Sequence, residues 1–212
     1  MRDAVTTGAG RLELADWRRQ TTELYAAIRA ANEPDVTWRQ FVAVRDEMFA
    51  GHPQSPLTAE QRATFRHLPY YPYNPAFRTV GQIDPNLEAD EAAIDLLHDG
   101  LLRLIRVGIV SFRLLGHAAS LSLFWIEGYG GGLFLPFKDL TNRKETFGGG
   151  RYLYDTIKGA DIGVQGQEIL LDFNFVYNPS CAYNAQWYCP LAPEENALNI
   201  SIAAGEKRFE NQ

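Results

Sequence analysis

The chain is poor in the residues that do most metal and redox chemistry. Its 212 residues include two cysteines, two methionines and four histidines. Two cysteines do not make a disulfide scaffold, and they do not complete a zinc site alone. His52, His67, His98 and His117 are scattered and form no ligand motif. No Gly-x-Ser-x-Gly elbow occurs, which argues against an α/β-hydrolase nucleophile. The dinucleotide fingerprint and the P-loop pattern are also missing. The net charge is −6, with no basic stripe and no run of like charges, so nucleic-acid binding is not expected. Arg103, Arg106 and Arg113 break the apolar stretches, so no transmembrane helix fits. The first ten residues, MRDAVTTGAG, contain no apolar h-region, and the expected location is cytoplasmic.

An apolar content of 46% and a charged content of 22% are those of a globular chain large enough to bury a core without staples. The first part reads as helical. Leu14, Trp17, Leu24, Ile28 and Ala31 recur at helical spacing, predicting a helix over 11–31 that Glu33 and Pro34 end. A second is predicted from Thr37, with Gln40 at capping-box spacing and Trp38, Phe41, Val42, Met48 and Phe49 facing inward. Thr58 and Gln61 repeat the box and open a short third helix to about His67. Residues 68–77 hold three prolines and four aromatics, which favours a loop strapped across the core over an aromatic ligand wall. A further helix is predicted over 87–99, with Asn86 as cap, Gly100 as stop and Ile94, Leu97 and Leu101 as its stripe.

From residue 102 the period changes to that of strands. They are predicted at 103–108, 110–116, 119–127, 132–138, 150–154, 168–177 and 198–205, with an earlier one at 77–83. The glycine-rich turn at 128–132 joins two of them. Closely spaced strands without intervening helices give an α+β fold, with N-terminal helices packed on an antiparallel β-sandwich or partly open β-barrel. The whole of 1–212 is read as one domain. It has a helical segment at 11–67, a connecting segment at 68–100 and a mainly antiparallel β part at 101–207.

Polar residues inside apolar strands mark the candidate sites. Asp172 and Asn174 are two apart, which on a strand puts both on one face opposite Phe173 and Phe175. An Asp there is costly to bury unless it is paired or solvated. Asp139 ends an apolar strand, and Arg151 follows three glycines. Pairing of the strands at 150–154 and 168–177 would bring Arg151 to Asp172. A guanidinium fork matches a carboxylate of the protein or of a ligand. The plain alternative is a buried Arg–Asp pair that fixes strand register. A further alternative is catalysis by Asp172 as a general base, which needs a pKa raised by burial. Gly148, Gly149 and Gly150 fit a turn or bulge better than an anion nest. Seven residues separate Cys181 from Cys189, among them Asn184, Gln186, Trp187 and Tyr188. Free buried thiols are the plain reading; a disulfide is geometrically allowed but opposed by a reducing compartment, and a reactive Cys181 stays open. His52 and Ser55 fit a capping turn better than a catalytic pair. Glu195 and Asn196 either cap backbone groups or close one side of an Asp172 pocket.

The second half resembles a known family. The segments LFLPFKD at 133–139, TFGGGRYL at 146–153, LDFN at 171–174 and YNPSCAY at 177–183 carry the resemblance. So do CP at 189–190, EN at 195–196 and AGEK at 204–207, with Trp38 through Asp46 and HPQSPL at 52–57 upstream. The pattern is similar to that of domain-of-unknown-function family 1684, of bacteria and archaea, over about residues 17–207. It implies no reaction, cofactor or catalytic residue, and it is weakest over 87–99.

Three functions follow as expectations. The first is a pocket for a small polar or anionic ligand on the Asp172 face. There Arg151 anchors a negative or carbonyl group, Asp172 accepts hydrogen bonds or a proton, Asn174 orients the ligand, Tyr177, Tyr183 and Trp187 stack, and Asp139 belongs to the same polar set. The second is a flavin-binding small barrel with oxidoreductase character, which rests on fold analogy. The third is a non-enzymatic structural or interaction protein. No metal is expected.

Overall fold

The computed structural model describes residues 7–86, 90–95 and 101–210. Helix α1 (Gly8–Arg29) starts where Thr7 accepts the Gly10 N–H at 3.0 Å, and turns Tyr25 and Ile28 inward. Helix α2 (Pro34–Gly51) begins three residues before the predicted start. Pro34 suits a first helical position, where no N–H is needed. Thr37 is therefore already inside the helix, and its hydroxyl donates to Glu33 O at 3.1 Å instead of capping. Helix α3 (Ala59–Thr64) has the predicted capping box: the Gln61 N–H reaches Thr58 Oγ1 at 3.1 Å, and the Thr58 N–H reaches Gln61 Oε1 at 2.8 Å.

The proline-rich stretch is a strap. Leu68, Tyr71 and Phe77 are buried under it. Its backbone pairs with the C-terminal segment, Tyr71 N–H to Gly205 O at 3.0 Å and Lys207 N–H to Pro69 O at 2.7 Å.

The strands are β1 (Arg78–Asp84), β2 (Asp90–Asp95), β3 (Leu101–Leu114), β4 (His117–Ile126), β5 (Gly132–Phe137), β6 (Arg151–Asp155), β7 (Val164–Gln165) and β8 (Glu168–Asp172). They form an antiparallel sheet in the order β6-β5-β4-β3-β1-β8-β7, curled into half a barrel, and β2 pairs with β3 beyond the end of β1. The fold is α+β, of the partly open kind. Leu115 and Gly116 join β3 to β4 with φ of 51° and 83°, the two left-handed residues of a tight hairpin. The two strands predicted at 103–108 and 110–116 are one long β3 with a bulge between Arg106 and Gly108.

Three further expectations change. Residues 90–95 are strand β2, not helix; the rest of the predicted 87–99 helix lies outside the described residues. β3 runs past β1 and offers a free edge there, and pairing along it outweighs the helical preference of Glu91, Ala92 and Ala93. The strand expected over 168–177 stops at Asp172. The Asp172 side chain accepts the Asn174 N–H at 3.0 Å and tips the chain into a 3-10 turn over Phe173–Phe175. The strand expected over 198–205 does not form. Its backbone is held by loops and side chains instead.

The core joins all layers. Tyr25, Ile28 and Phe41 from the helices pack with Val110, Phe112, Leu123, Phe137, Leu171 and Phe173 from the sheet side. Phe41 meets Phe175, and Phe137 meets Phe173, edge-on at 5.3 and 5.2 Å between centroids.

Gly205 is the tightest point of the C-terminal segment. Its φ is +74°, and a Cβ would lie 2.2 Å from Val176 Cγ2 and 2.7 Å from Phe173 O. Gly205→Ala is expected to cost more than about 2 kcal/mol in urea unfolding. Gly116→Ala, at φ +83° with open space around it, is the control and should cost about 1 kcal/mol.

Candidate functional site

The predicted polar residues fall into three separate places. The first is a fully buried ion pair. Asp139 follows β5, Arg151 opens β6, and the Arg151 Nη2 to Asp139 Oδ2 distance is 2.8 Å. Gly150, at φ +93°, lets the chain turn against Phe137 O just before Arg151, which is the turn reading of the glycine triplet. The guanidinium also donates to Ala204 O, to Glu206 O at 3.2 Å and to Ile202 O at 3.0 Å. It lies 5.2 Å from the Phe137 ring centroid. Asp139 Oδ1 accepts from the Thr141 N–H at 2.8 Å, the Thr141 hydroxyl at 2.6 Å and the Ile202 N–H at 3.2 Å. Arg151 does not reach Asp172, because β6 pairs with β5 at the far end of the sheet from β8. With no exposed surface and both terminal nitrogens engaged, Arg151 does not fit a flavin phosphate.

The second place is Asp172 and Asn174. Asp172 Oδ1 accepts from the Asn174 N–H and, at 2.8 Å, from its side-chain amide. Asn174 in turn clamps the strap, accepting the Asn74 N–H and donating to Asn74 O, both at 2.9 Å. The cation beside Asp172 is Arg78, 3.4 Å away and half-exposed. Burial pushes the Asp172 carboxyl above its usual range, opposed by Asn174 and Arg78.

The third place was hidden in the sequence. Arg45 Nη2 lies 3.0 Å from Glu206 Oε2, and both side chains are buried. Glu206 also accepts from the Tyr183 hydroxyl, from the Asn178 N–H at 3.2 Å and from the Tyr70 hydroxyl at 3.4 Å. The Arg45 guanidinium sits 5.6, 5.1 and 5.2 Å from the ring centroids of Phe41, Phe49 and Tyr177. Desolvation raises the Glu206 pKa, and Arg45 opposes it. Tyr177 and Tyr183 thus face this pair, not Asp172. A signal for Arg45 exists: it stands four residues after Phe41 and four before Phe49, on the apolar row of α2.

The other candidates have structural partners. Trp187 donates to Pro56 O at 3.2 Å and ties its loop to the turn after α2. Ser55 donates to Phe49 O at 2.7 Å, and His52 lies 3.2 Å from Asp16. Asn196 caps backbone groups, donating to Ser122 O at 3.0 Å and Pro136 O at 2.7 Å and accepting the Ser122 N–H at 2.8 Å. Among the described residues, no three His, Cys, Asp or Glu side chains come together as a metal site. No helix among them is long and apolar enough to cross a membrane.

A cleft opens elsewhere, between α1 and α2, with a volume of about 460 Å³. Leu24, Phe41 and Val44 give it an apolar floor, and Gln20, Glu23 and Gln40 a polar rim. Arg19 holds Glu23 at 2.7 Å and offsets its charge.

A family model described as a protein of unknown function, DUF1684, matches residues 63–207. The chain belongs to this family. The Asp139–Arg151, Asp172–Asn174 and Tyr183–Glu206 contacts all lie within the matched part; Arg45 and the cleft precede it. Among solved structures, the chain is similar to an uncharacterized protein of Haloarcula marismortui determined by NMR in solution. Identity is 30%, the match covers 80% of this chain and 91% of that one, and the TM-score is 0.59. No curated protein matches the chain.

Two outcomes test these assignments. Arg151→Met leaves Asp139 buried without its cation and should cost roughly 3–5 kcal/mol in urea unfolding, whereas Arg78→Met, at a half-exposed pair, should cost under about 1 kcal/mol. Asp172 holds its proton to higher pH in the folded than in the unfolded chain. Its contribution to stability therefore falls as pH rises from about 4 through the folded pKa. The stability of Asp172→Asn relative to the parent should rise over that window, as read from unfolding midpoints across pH.

Proposed function

We propose that this protein binds a small polar molecule and that the cleft between α1 and α2 receives it. The observation that carries this reading is the cleft itself. Its volume of about 460 Å³ falls in the range of small-molecule pockets, roughly 300–1,000 Å³. An apolar floor under a few amide and carboxylate groups is the composition of such pockets. The rim offers the amides of Gln20 and Gln40 and the neutralised Glu23, without a free cation of its own. That favours a neutral polar ligand with an apolar body over an anion.

In this reading Asp139, Arg151, Asp172 and Asn174 support the scaffold and do not touch ligand. Their hydrogen bonds within the protein favour that role. Tyr177 and Tyr183 stand behind the cleft floor, through Arg45 and Phe41. No nucleic acid or membrane partner is part of it. A cytoplasmic setting is part of the proposal.

Ala27 lines the cleft from the exposed side of α1, so a large side chain there fills the cleft without touching the core. Fragment screening by NMR should find binders whose shifts cluster on α1 and α2, with affinity at least tenfold weaker in Ala27→Trp. Shifts that cluster elsewhere, or binding indifferent to Ala27→Trp, would sink the cleft.

A further inference from the structure

The rim of the cleft between α1 and α2 is uneven in its hydrogen bonding. On the α1 side, Gln20 is not free to turn. Its side-chain amide donates to Asp16 Oδ2 at 2.6 Å, one turn back along the helix. A carboxylate has no proton to give, so the Gln20 nitrogen must face Asp16 and its oxygen must face away. Asp16 is itself fixed. Arg19 donates to its other oxygen, and the His52 ring lies 3.2 Å from Oδ2. The Gln54 N–H donates to His52 Nδ1 at 3.0 Å, so the ring proton sits on Nε2, toward Asp16. Arg19, then Gln20 and His52, hold the Asp16 carboxyl below its usual range.

The other rim groups are left mainly with acceptors as well. Glu23 gives one oxygen to Arg19 at 2.7 Å, and no protein group among the described residues engages the second. The Thr37 hydroxyl donates its only proton to Glu33 O at 3.1 Å, which leaves lone pairs. Gln40 makes no side-chain hydrogen bond among the described residues, so it keeps both an oxygen and N–H groups for a ligand.

The floor sets the body of the ligand. Leu24, Ala27 and Val44 are aliphatic. The Phe41 ring is buried and meets Tyr25, Tyr70 and Phe175 edge-on, so it offers no open face for stacking. From Gln20 to Ala27 the helix advances about 10 Å. Such a floor suits a short aliphatic chain better than a flat ring.

We propose that the ligand of the cleft is a neutral aliphatic primary amide. Its two N–H groups go to rim oxygens, Gln20 Oε1 foremost, its carbonyl takes an N–H of Gln40, and its chain lies on Leu24, Ala27 and Val44. This rests on the cleft as the binding site and narrows its ligands to those that donate N–H. A carboxylate on the same chain would bring acceptors and a charge to a rim of acceptors. A tertiary amide would leave the rim oxygens without partners.

The test is NMR titration of the full isotope-labelled chain with hexanamide, N,N-dimethylhexanamide and hexanoate. Hexanamide should shift resonances of α1 and α2 and bind about three- to tenfold tighter than either of the others. Gln20→Met removes the oriented oxygen at a half-buried site and keeps a good helix former. It should weaken hexanamide by about three- to tenfold and leave N,N-dimethylhexanamide unchanged. Asp16→Ala lets the Gln20 amide turn over and should narrow the preference for hexanamide; Asp16→Asn, whose side-chain oxygen still accepts, should restore it. Equal affinity of the three probes on α1 and α2, or hexanamide binding indifferent to Gln20→Met, would overturn the amide class and leave the cleft standing. Hexanamide shifts confined to other parts of the chain, or none, would also overturn it. The cleft is then decided separately, by whether the wider fragment set responds to Ala27→Trp.

Discussion

The fold depends on one guanidinium. Arg151 binds Asp139 and takes the carbonyls of Ile202, Ala204 and Glu206, while Asp139 takes the Ile202 N–H from the same side. Among the described residues, the segment around 202–206 joins no strand ladder beyond an isolated bridge of Glu206 to Tyr70 of the strap, so its other backbone groups need other acceptors and donors once buried. A charged pair supplies them at several points at once. Taking two ions out of water is costly, and their attraction offsets it only when nearly every lone pair and proton is used. Here both oxygens of Asp139 and both terminal nitrogens of Arg151 are used. Nε is left over, among the described residues, beside the Phe137 ring.

A second ion pair finishes what the first begins. Glu206 lies at the end of the same segment, and its side chain turns the other way, to Arg45 of α2. Its backbone N–H bonds Val176 O at 3.0 Å, and Asn178 reaches over to Lys207 O at 2.7 Å. Between the two pairs sits Gly205, in a backbone conformation and a space that only glycine fits. The helices, the strap and the sheet therefore meet on a segment with no regular structure of its own. Its position is specified by side chains, which is why it tolerates no ladder and no Cβ at that point.

The same facts explain what was legible in the sequence. Local rules sufficed for the Thr58–Gln61 box, the 128–132 turn, the strap and the antiparallel class of the sheet, because each depends on neighbours in the chain. They failed where a distant partner decided. β2 is a strand because β3 runs past β1, which residues 90–95 do not encode. The run 198–205 alternates like a strand, but its partners are loop backbone at separate points and the Arg151 side chain. Asp139, Arg151, Asp172 and Asn174 were all recognisable as costly to bury, and all are buried. Their pairing was not recognisable, since it follows from strand order. Arg45 was legible in principle, as a charge on an apolar helical row, and reading that row as simply hydrophobic concealed it.

The core ions also reach outward, to the loop that crosses the open end of the helices. The loop that carries Cys181 and Cys189 is fixed at three points. Tyr183 reaches inward to Glu206, Trp187 bonds Pro56 O at 3.2 Å, and Tyr152 bonds Pro190 O at 2.6 Å. Those anchors hold the loop between Cys181 and Cys189 and just beyond them, at positions 183, 187 and 190. The tie at Tyr183 runs through the Arg45–Glu206 pair to the segment that Arg151 holds. The course of this loop is thus inherited in part from the buried charges.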